Sequence, residues 1–547
     1  MKLKKNDISK QLLIIIALVL TAGRLFIAWT QYATIYPPLA PIDDHFMFTT
    51  AQNIVAGEWF GEYNYLTLSK HAFFAVWLAF LHILGIPYMV GSAALWSVAS
   101  VVLVLAVSPV IKKNWARLFL YAGLLYNPAV WAQFSTRIYR DNIFPGLCML
   151  FFGCVLAVGL RYKQPVKNWV LWLIGYGITF GLVYLSREDG IWVLPFAIIA
   201  FIVLVALWMI EKDHGIIKKA IALCLPFILS AGVICSYCYM NYIHYGRFIV
   251  SDFTSSDFEK AYGALMSIEH ENWHPLIAVP DDVREKLYNE VPSFAFMEEA
   301  LEEPILKNGY FRPALNDFQS GGFYWAVRTA LQNEGYYETP QKAQQYYETL
   351  RAEIELAVSE GHLQAGKLGA SVTSPIKPQY ILPVIAEGFR GFNTAVTFGQ
   401  CDPLAEMAVG TAEEIAEVEQ FIHQKGGTVL VANTTTVYLP PLQRITHTFM
   451  RFMNIVYKIC IPIMFLMALC WQIKQLLWDI KCGGITCDTI LNVVLLGVVG
   501  MALLRCFMIA YVEVSAFNIG TYGMYLSTVY PLLILYSFVG TLKNFEN

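Results

Sequence analysis

Apolar stretches long enough to cross a bilayer recur along this chain, and they constrain its fold more than any motif does. They lie at about Leu12–Trp29, Met89–Ile111, Leu118–Phe134, Ile143–Leu160 and Trp169–Leu185, then at Ile191–Ile210 and Ala220–Met240. Three more follow a long polar interval, at Ile459–Leu477, Ile490–Val512 and Tyr522–Leu542. A spanning helix needs roughly 20 apolar residues, so the expected fold is a polytopic α-helical membrane protein with about ten transmembrane helices. The opening Met1-Lys2-Leu3-Lys4-Lys5 could start a signal peptide, but no small-x-small cleavage site follows. The first run is therefore expected to remain as an uncleaved helix.

Composition agrees. Only 14% of residues are charged, against about 25% in an ordinary soluble chain. That excludes a disordered chain, a basic nucleic-acid binder and an average cytosolic enzyme; no nucleic-acid partner is expected. The net charge of −3 conceals a division: residues 241–444 carry 27 acidic and 14 basic side chains, and the rest carries 14 acidic and 24 basic. Three regions follow: a transmembrane half at 1–240 with a long loop at 31–88, a soluble acidic insertion at 241–445, and C-terminal helices at 446–547.

Basic residues orient these regions. With the N-terminus inside, Lys2, Lys4, Lys5, Lys10, Lys112, Lys113, Arg117, Arg161, Lys163, Lys167, Lys212, Lys218, Lys219, Lys474, Lys481 and Lys543 are cytoplasmic. The opposite short loops keep Lys70, Arg137, Arg140 and Arg187. The expectation is a multi-pass protein of the inner or plasma membrane with both termini cytoplasmic. The insertion is then extracytoplasmic, in contact with the bilayer at its edges.

Within the insertion, helical signals dominate. Thr339-Pro340 predicts a helix to about Gly361, and Thr411-Ala412-Glu413-Glu414 is a capping box opening a helix that Gly426-Gly427 should stop. Thr428–Asn433 reads as a strand, giving a mainly helical α+β insertion. Of eleven cysteines only Cys401 falls in this block, so no disulfide forms within it; Cys235 and Cys238 lie in an apolar helix.

Chemistry-bearing residues concentrate in three outer segments. The long loop carries Pro41-Ile42-Asp43-Asp44-His45, a short helix Ala51–Gly57, and Ser69-Lys70-His71. The next two outer turns are Arg137-Ile138-Tyr139-Arg140-Asp141-Asn142 and Ser186-Arg187-Glu188-Asp189-Gly190. Helix capping accounts for one aspartate, and snorkelling accounts for one arginine. Positive-inside bias should clear arginine from these turns, yet three remain, each beside a carboxylate. Arginine's planar fork suits phosphate, and a carboxylate suits removal of a hydroxyl proton.

In that order and spacing, residues 12–245 resemble the catalytic half of the GT-C glycosyltransferases that use polyprenyl-phosphate sugars, such as protein O-mannosyltransferases and the lipid A aminoarabinose transferase. The similarity runs through the basic start, Asp43-Asp44, the Ala51–Gly57 helix, Lys70 leading into Phe73–Leu78, Tyr139–Asn142 and Ser186–Asp189. Relatives often have Lys-Pro-Pro where this chain has Lys70-His71-Ala72. The resemblance implies a sugar transfer from a polyprenyl-phosphate donor to an acceptor hydroxyl on a glycan, lipid or protein, with inversion. It implies Asp43 or Asp44 as general base, and Arg140, Arg187 and Lys70 on the departing phosphate. Asp141, Glu188 and His45 are supporting residues, or ligands of an optional divalent cation; no cofactor is required. Arg505, inside the ninth span near its outer end with Glu513 beyond, is a further candidate for the phosphate.

Two other readings compete. His270-Glu271-Asn272-Trp273-His274 is an H-E-x-x-H pattern, which on a helix binds zinc through both histidines with the glutamate as base; Glu298 or Glu299 would complete it. Pro275 disfavours a helix there. A transporter, or a non-catalytic lipid-binding relative, also suits ten spans, but the halves show no repeat.

Overall fold

The computed structural model describes residues 7–36, 40–271, 274–366, 373–428, 437–482, 486–518, 520 and 522–546. The first half is a helical bundle: α1 (Lys10–Thr30), α2 (Phe46–Ala56), α3 (Phe73–Ile83), α4 (Tyr88–Ala106), α5 (Asn114–Leu125), α6 (Phe144–Gly159), α7 (Val170–Ser186), α8 (Leu194–Ile210) and α9 (Leu225–Tyr245). Among the described residues, six helical stretches are long and apolar enough to cross a membrane: Lys10–Thr30, Tyr88–Ala106, Glu188–Ile210, Ile216–Tyr245, Pro441–Lys481 and Asp488–Phe517. The protein is thus a polytopic helical one.

Each apolar run carries helix, but four are short or broken. The run at Leu118–Phe134 stops at Leu125, because Asn127-Pro128 cannot continue a helix; Asn127 instead caps a short turn by accepting from the Ala129 amide. The runs at 143–160 and 169–185 form apolar helices of 16 and 17 residues. The last run divides into Tyr522–Tyr525 and a helix from Val529.

Small residues set the close packing. At Gly177 on α7, a Cβ would lie 2.7 Å from the Pro226 carbonyl oxygen of α9, so only glycine permits this approach. Aromatic rings fill the neighbouring layer, with Phe152 5.0 Å from Phe196 and 5.6 Å from Trp192 between ring centroids.

In the insertion, α10 (Asp257–Leu265), α11 (Ser320–Asn333) and α12 (Pro340–Ser359) surround a core of their own that includes Phe258, Leu287, Phe323, Leu331 and Ile354. A two-stranded antiparallel hairpin, β1 (Phe311–Arg312) and β2 (Asp317–Phe318), supplies its strand content. Thr339 caps α12 as the sequence predicts. The later helices α13 (Ile381–Val396) and α14 (Ala412–Ile422) belong elsewhere: Ala395, Val418, Phe421 and Ile422 join the core of the transmembrane bundle. The capping box at Thr411–Glu414 is present, but α14 ends at His423 in the left-handed region, before Gly426. Apart from Thr428, the expected strand at 428–433 lies outside the described residues.

The C-terminal part comprises α15 (Pro441–Cys482), α16 (Cys487–Val512) and α17 (Val529–Glu546). At 42 residues α15 is about 63 Å long, well beyond the ~30 Å hydrocarbon core.

Candidate functional site

Residues Pro41–His45 form one wide helical turn leading into α2, whose end is set by Gly57 in the left-handed region at φ 85°. Neither aspartate caps α2, since its start makes no side-chain cap bond. Both carboxylates instead turn to basic groups from other segments.

The two aspartates differ in their surroundings. Asp44 is buried, and both of its oxygens accept from Arg137 Nε, at 2.9 and 2.8 Å; Arg137 Nη2 also pairs with Oδ2. Asp43 is half-buried, with 32% of its side chain exposed. Its Oδ1 accepts from the Lys70 ammonium and from the Tyr139 hydroxyl at 2.8 Å, and its Oδ2 lies 3.5 Å from Arg137. Lys70 also donates to the Ile42 carbonyl at 2.8 Å. Burial opposes ionisation of Asp43, but Lys70 and Arg137 outweigh it and hold the carboxyl below the usual range. For Asp44 burial prevails, aided by the neighbouring Asp43 charge and opposed by Arg137, and the group is lifted to about 6.

The turns around Arg140 and Arg187 continue the pattern. Arg140 Nη1 donates to both Glu188 oxygens, at 2.8 and 2.6 Å. Arg187 pairs with Asp141 through Nη1 at 2.5 Å and with Asp189 through Nε at 3.0 Å. Arg505, reaching in from α16, donates to Asp189 at 2.6 Å and to the Tyr525 carbonyl at 3.2 Å. These pairs form three groups. Chain adjacency, the hydrogen bond from the His71 amide to Glu188 at 3.1 Å and the mutual charge interactions of Lys70, Arg140, Glu188 and Arg187 bring them into one cluster holding Asp43, Asp44, Lys70, Arg140, Asp141, Arg187 and Glu188. It contains five cations (Lys70, Arg137, Arg140, Arg187, Arg505) and five carboxylates (Asp43, Asp44, Asp141, Glu188, Asp189), a formal balance of zero.

The balance has a direction. Exposure of the five cationic side chains is 16% or less, whereas Asp43, Glu188 and Asp189 are 24–32% exposed. Carboxylates thus cover a basic floor. Arg140 Nε, Arg505 Nη2 and Asp141 Oδ2 are buried with no hydrogen-bond partner among the described residues. A separate shallow, open pocket lies between the ends of α1 and α15, lined by Gln31, Trp131 and His447 among others, and includes none of these ten charged side chains.

Several sequence expectations change. Arg505 is fully buried and paired with Asp189, and its Nη2 has no partner among the described residues. His45 is exposed, and among the described residues no three His, Cys, Asp or Glu side chains are grouped to hold a metal. The H-E-x-x-H reading loses its geometric basis: His270, Glu271 and His274 are not helical, and among the described residues they join no group of three possible metal ligands. His270 Nε2 is 3.0 Å from the Lys377 ammonium, His274 Nδ1 accepts from the Leu276 amide, and Glu298 and Glu299 are exposed on a separate turn.

Arg137 and Asp189 emerge as central members that the sequence reading did not select. Arg137 carried a usable signal, being one of the outer arginines that orientation bias should have removed. Tyr139, which donates to Asp43, lies in the Tyr139–Asn142 segment of the resemblance, whereas Tyr525, whose carbonyl accepts from Arg505, carried no signal in a chain so rich in aromatic residues.

With this geometry in view, comparisons with known proteins give one kind of match. No protein-family model and no curated protein matches the chain. Among solved structures it is similar to ArnT from Cupriavidus metallidurans. In the apo state the identity is 14%, covering 96% of this chain and 76% of the other, with a TM-score of 0.29. Against ArnT bound to undecaprenyl phosphate the identity is 13%, the coverage 97% and 78%, and the TM-score 0.30.

Proposed function

We propose that this protein is a membrane glycosyltransferase that moves a sugar from a polyprenyl-phosphate donor to an acceptor hydroxyl, inverting the anomeric carbon. The observation that carries the reading is the neutral cluster joining Lys70–Asp43 to Arg140–Glu188 and Arg187–Asp141, built from three outer turns. The resemblance of residues 12–245 to polyprenyl-phosphate-sugar transferases supports it. The bound lipid in the second ArnT structure is of the same chemical class as the proposed donor.

In this reading Asp43 is the base. Geometry takes precedence over proton affinity: Asp44 has both oxygens engaged by a guanidinium in a buried position, whereas Asp43 is open on one side. With Lys70 beside it, Asp43 is a weak base. An arriving phosphate competes for Lys70 and for Arg140, whose Nε has no partner among the described residues. Drawing the ammonium toward the phosphate releases Asp43, whose affinity for a proton then rises. The acceptor hydroxyl gives its proton to Asp43 as its oxygen attacks the anomeric carbon. The bond to the phosphate oxygen breaks on the opposite face, and Lys70 and Arg140 stabilise the departing lipid phosphate. Asp141 and Glu188 orient the arginines; no step requires a cofactor, and a dependence on divalent cations is tested by chelation.

The test is turnover by purified full-length protein supplied with undecaprenyl-phosphate-linked sugars. Asp43→Asn should reduce kcat by about 10²–10⁴, the usual worth of a positioned base. Wild-type turnover in Asp43→Asn would remove that residue as the base, and absence of any transfer by the wild type across donors would remove the reaction.

A further inference from the structure

Helix α11 of the insertion comes close to the cluster, beside the segment Asp252–Thr254. Arg328 on α11 is fully buried, and it donates from Nε to the Tyr65 carbonyl at 2.9 Å and from Nη2 to Asp252 at 3.0 Å. Gln332, one turn further, accepts from the Tyr65 amide at 3.1 Å. The Asp252 amide in turn donates to the Leu68 carbonyl at 2.7 Å. The insertion is therefore fastened to residues 65–68, immediately before Lys70. The rings of Phe253, Phe258 and Tyr337 lie 4.8–5.6 Å from the Arg328 guanidinium, so the fastening is shielded from water.

This fastening has a consequence at Lys70. The Trp325 ring, three residues before Arg328, lies 5.1 Å from the Lys70 ammonium, and its side chain is buried. The Tyr139 ring is 5.9 Å away, so the ammonium sits among Asp43 and two aromatic faces. Tyr324, beside Trp325, lies within electrostatic reach of Asp43, Glu188 and Tyr525. An aromatic face stabilises a cation without neutralising it, and the effect is larger when water is excluded. Such a neighbour holds Lys70 in place when its carboxylate partner is lost.

We propose that α11 of the insertion is a wall of the lipid-phosphate site, with Trp325 as a positioning residue that keeps the Lys70 ammonium aimed at the phosphate once Asp43 lets go. This rests on the transferase reading and specifies the insertion's role in it. The insertion is then part of the reaction centre rather than a separate acceptor module.

Binding to full-length protein in lipid nanodiscs tests this, with undecaprenyl phosphate and the uncharged undecaprenol as probes. Trp325→Leu should weaken undecaprenyl phosphate binding about tenfold and leave undecaprenol binding unchanged, while Trp325→Phe should lose only about twofold. Equal weakening for both lipids, or no weakening for either, would overturn the positioning role. If Trp325→Leu fails to fold, the Trp325→Phe shift decides, since it must be confined to the phosphate. A wild-type protein that binds both lipids alike, with Lys70→Gln indistinguishable from it, would instead overturn the lipid-phosphate reading. Arg351→Ala, on the exposed face of α12, should match the wild type for both probes.

Discussion

The acidic insertion and the membrane-proximal cluster use charge in opposite ways. The insertion region holds 27 of the chain's 41 carboxylates, and some of them form pairs along a helix face, as Glu355 does with Arg351. Such pairs are separated by one helical turn, are screened by salt and contribute little. The cluster has only five carboxylates, but each has a guanidinium or ammonium partner drawn from a different segment, and Asp44 and Asp141 are at most 1% exposed. A buried charge cannot lose its partner cheaply. Functional weight therefore follows the location of the charges and not their number.

The largest departure from that contrast should come from Arg187→Met. It leaves Asp141 buried and unpaired, and the expected destabilisation is about 3–5 kcal/mol, read as a fall in Tm. Asp189 retains Arg505, so a smaller loss would indicate that Arg505 takes over Asp141 as well. Next in size is Asp43→Asn, where turnover should fall by about 10²–10⁴ and Tm should fall less than in Arg187→Met, because Asp43 is half-open although its partner Lys70 is buried. A matching collapse in Tm would show that Asp43 serves the fold.

A third expectation concerns pH. Lys70 helps to hold Asp43 below the usual carboxylate range, so Lys70→Gln removes a cation and raises the acid's affinity for its proton. The acid limb of kcat/KM should then move to higher pH than in the wild type; a limb that stays in place, or moves down, separates Lys70 from Asp43. The smallest effect belongs to the insertion: Arg351→Ala should cost less than about 0.5 kcal/mol, with activity unchanged. A larger cost would mean that this exposed pair participates in something more than solvation.

Much of this was legible from local pattern. Apolar runs located every major transmembrane helix, and Thr339 and Thr411 marked helix starts, because capping acts between residues three apart. Asp43, Asp44, Lys70, Arg140, Asp141, Arg187 and Glu188 stood out together, since capping or snorkelling accounts for single members but not for arginines beside carboxylates in three segments. Where helices stop was less legible: Pro128 shortens α5 inside an apolar run, and His423 ends α14 before the glycines. The H-E-x-x-H pattern misled because its spacing carries meaning on a helix, and His270, Glu271 and His274 are not helical.

What the chain order could not express is who pairs with whom. Asp189 and Arg505 are 316 residues apart, Asp44 and Arg137 are 93 apart, and Trp325 approaches Lys70 from the insertion. Spacing and hydropathy act along the chain, so residue order settled the membrane-protein class, the acidic insertion and a short roster of anomalous charges. Burial and ion pairing act through space, so folding alone chose the open aspartate, closed the charge balance at zero and set an aromatic face beside the lysine.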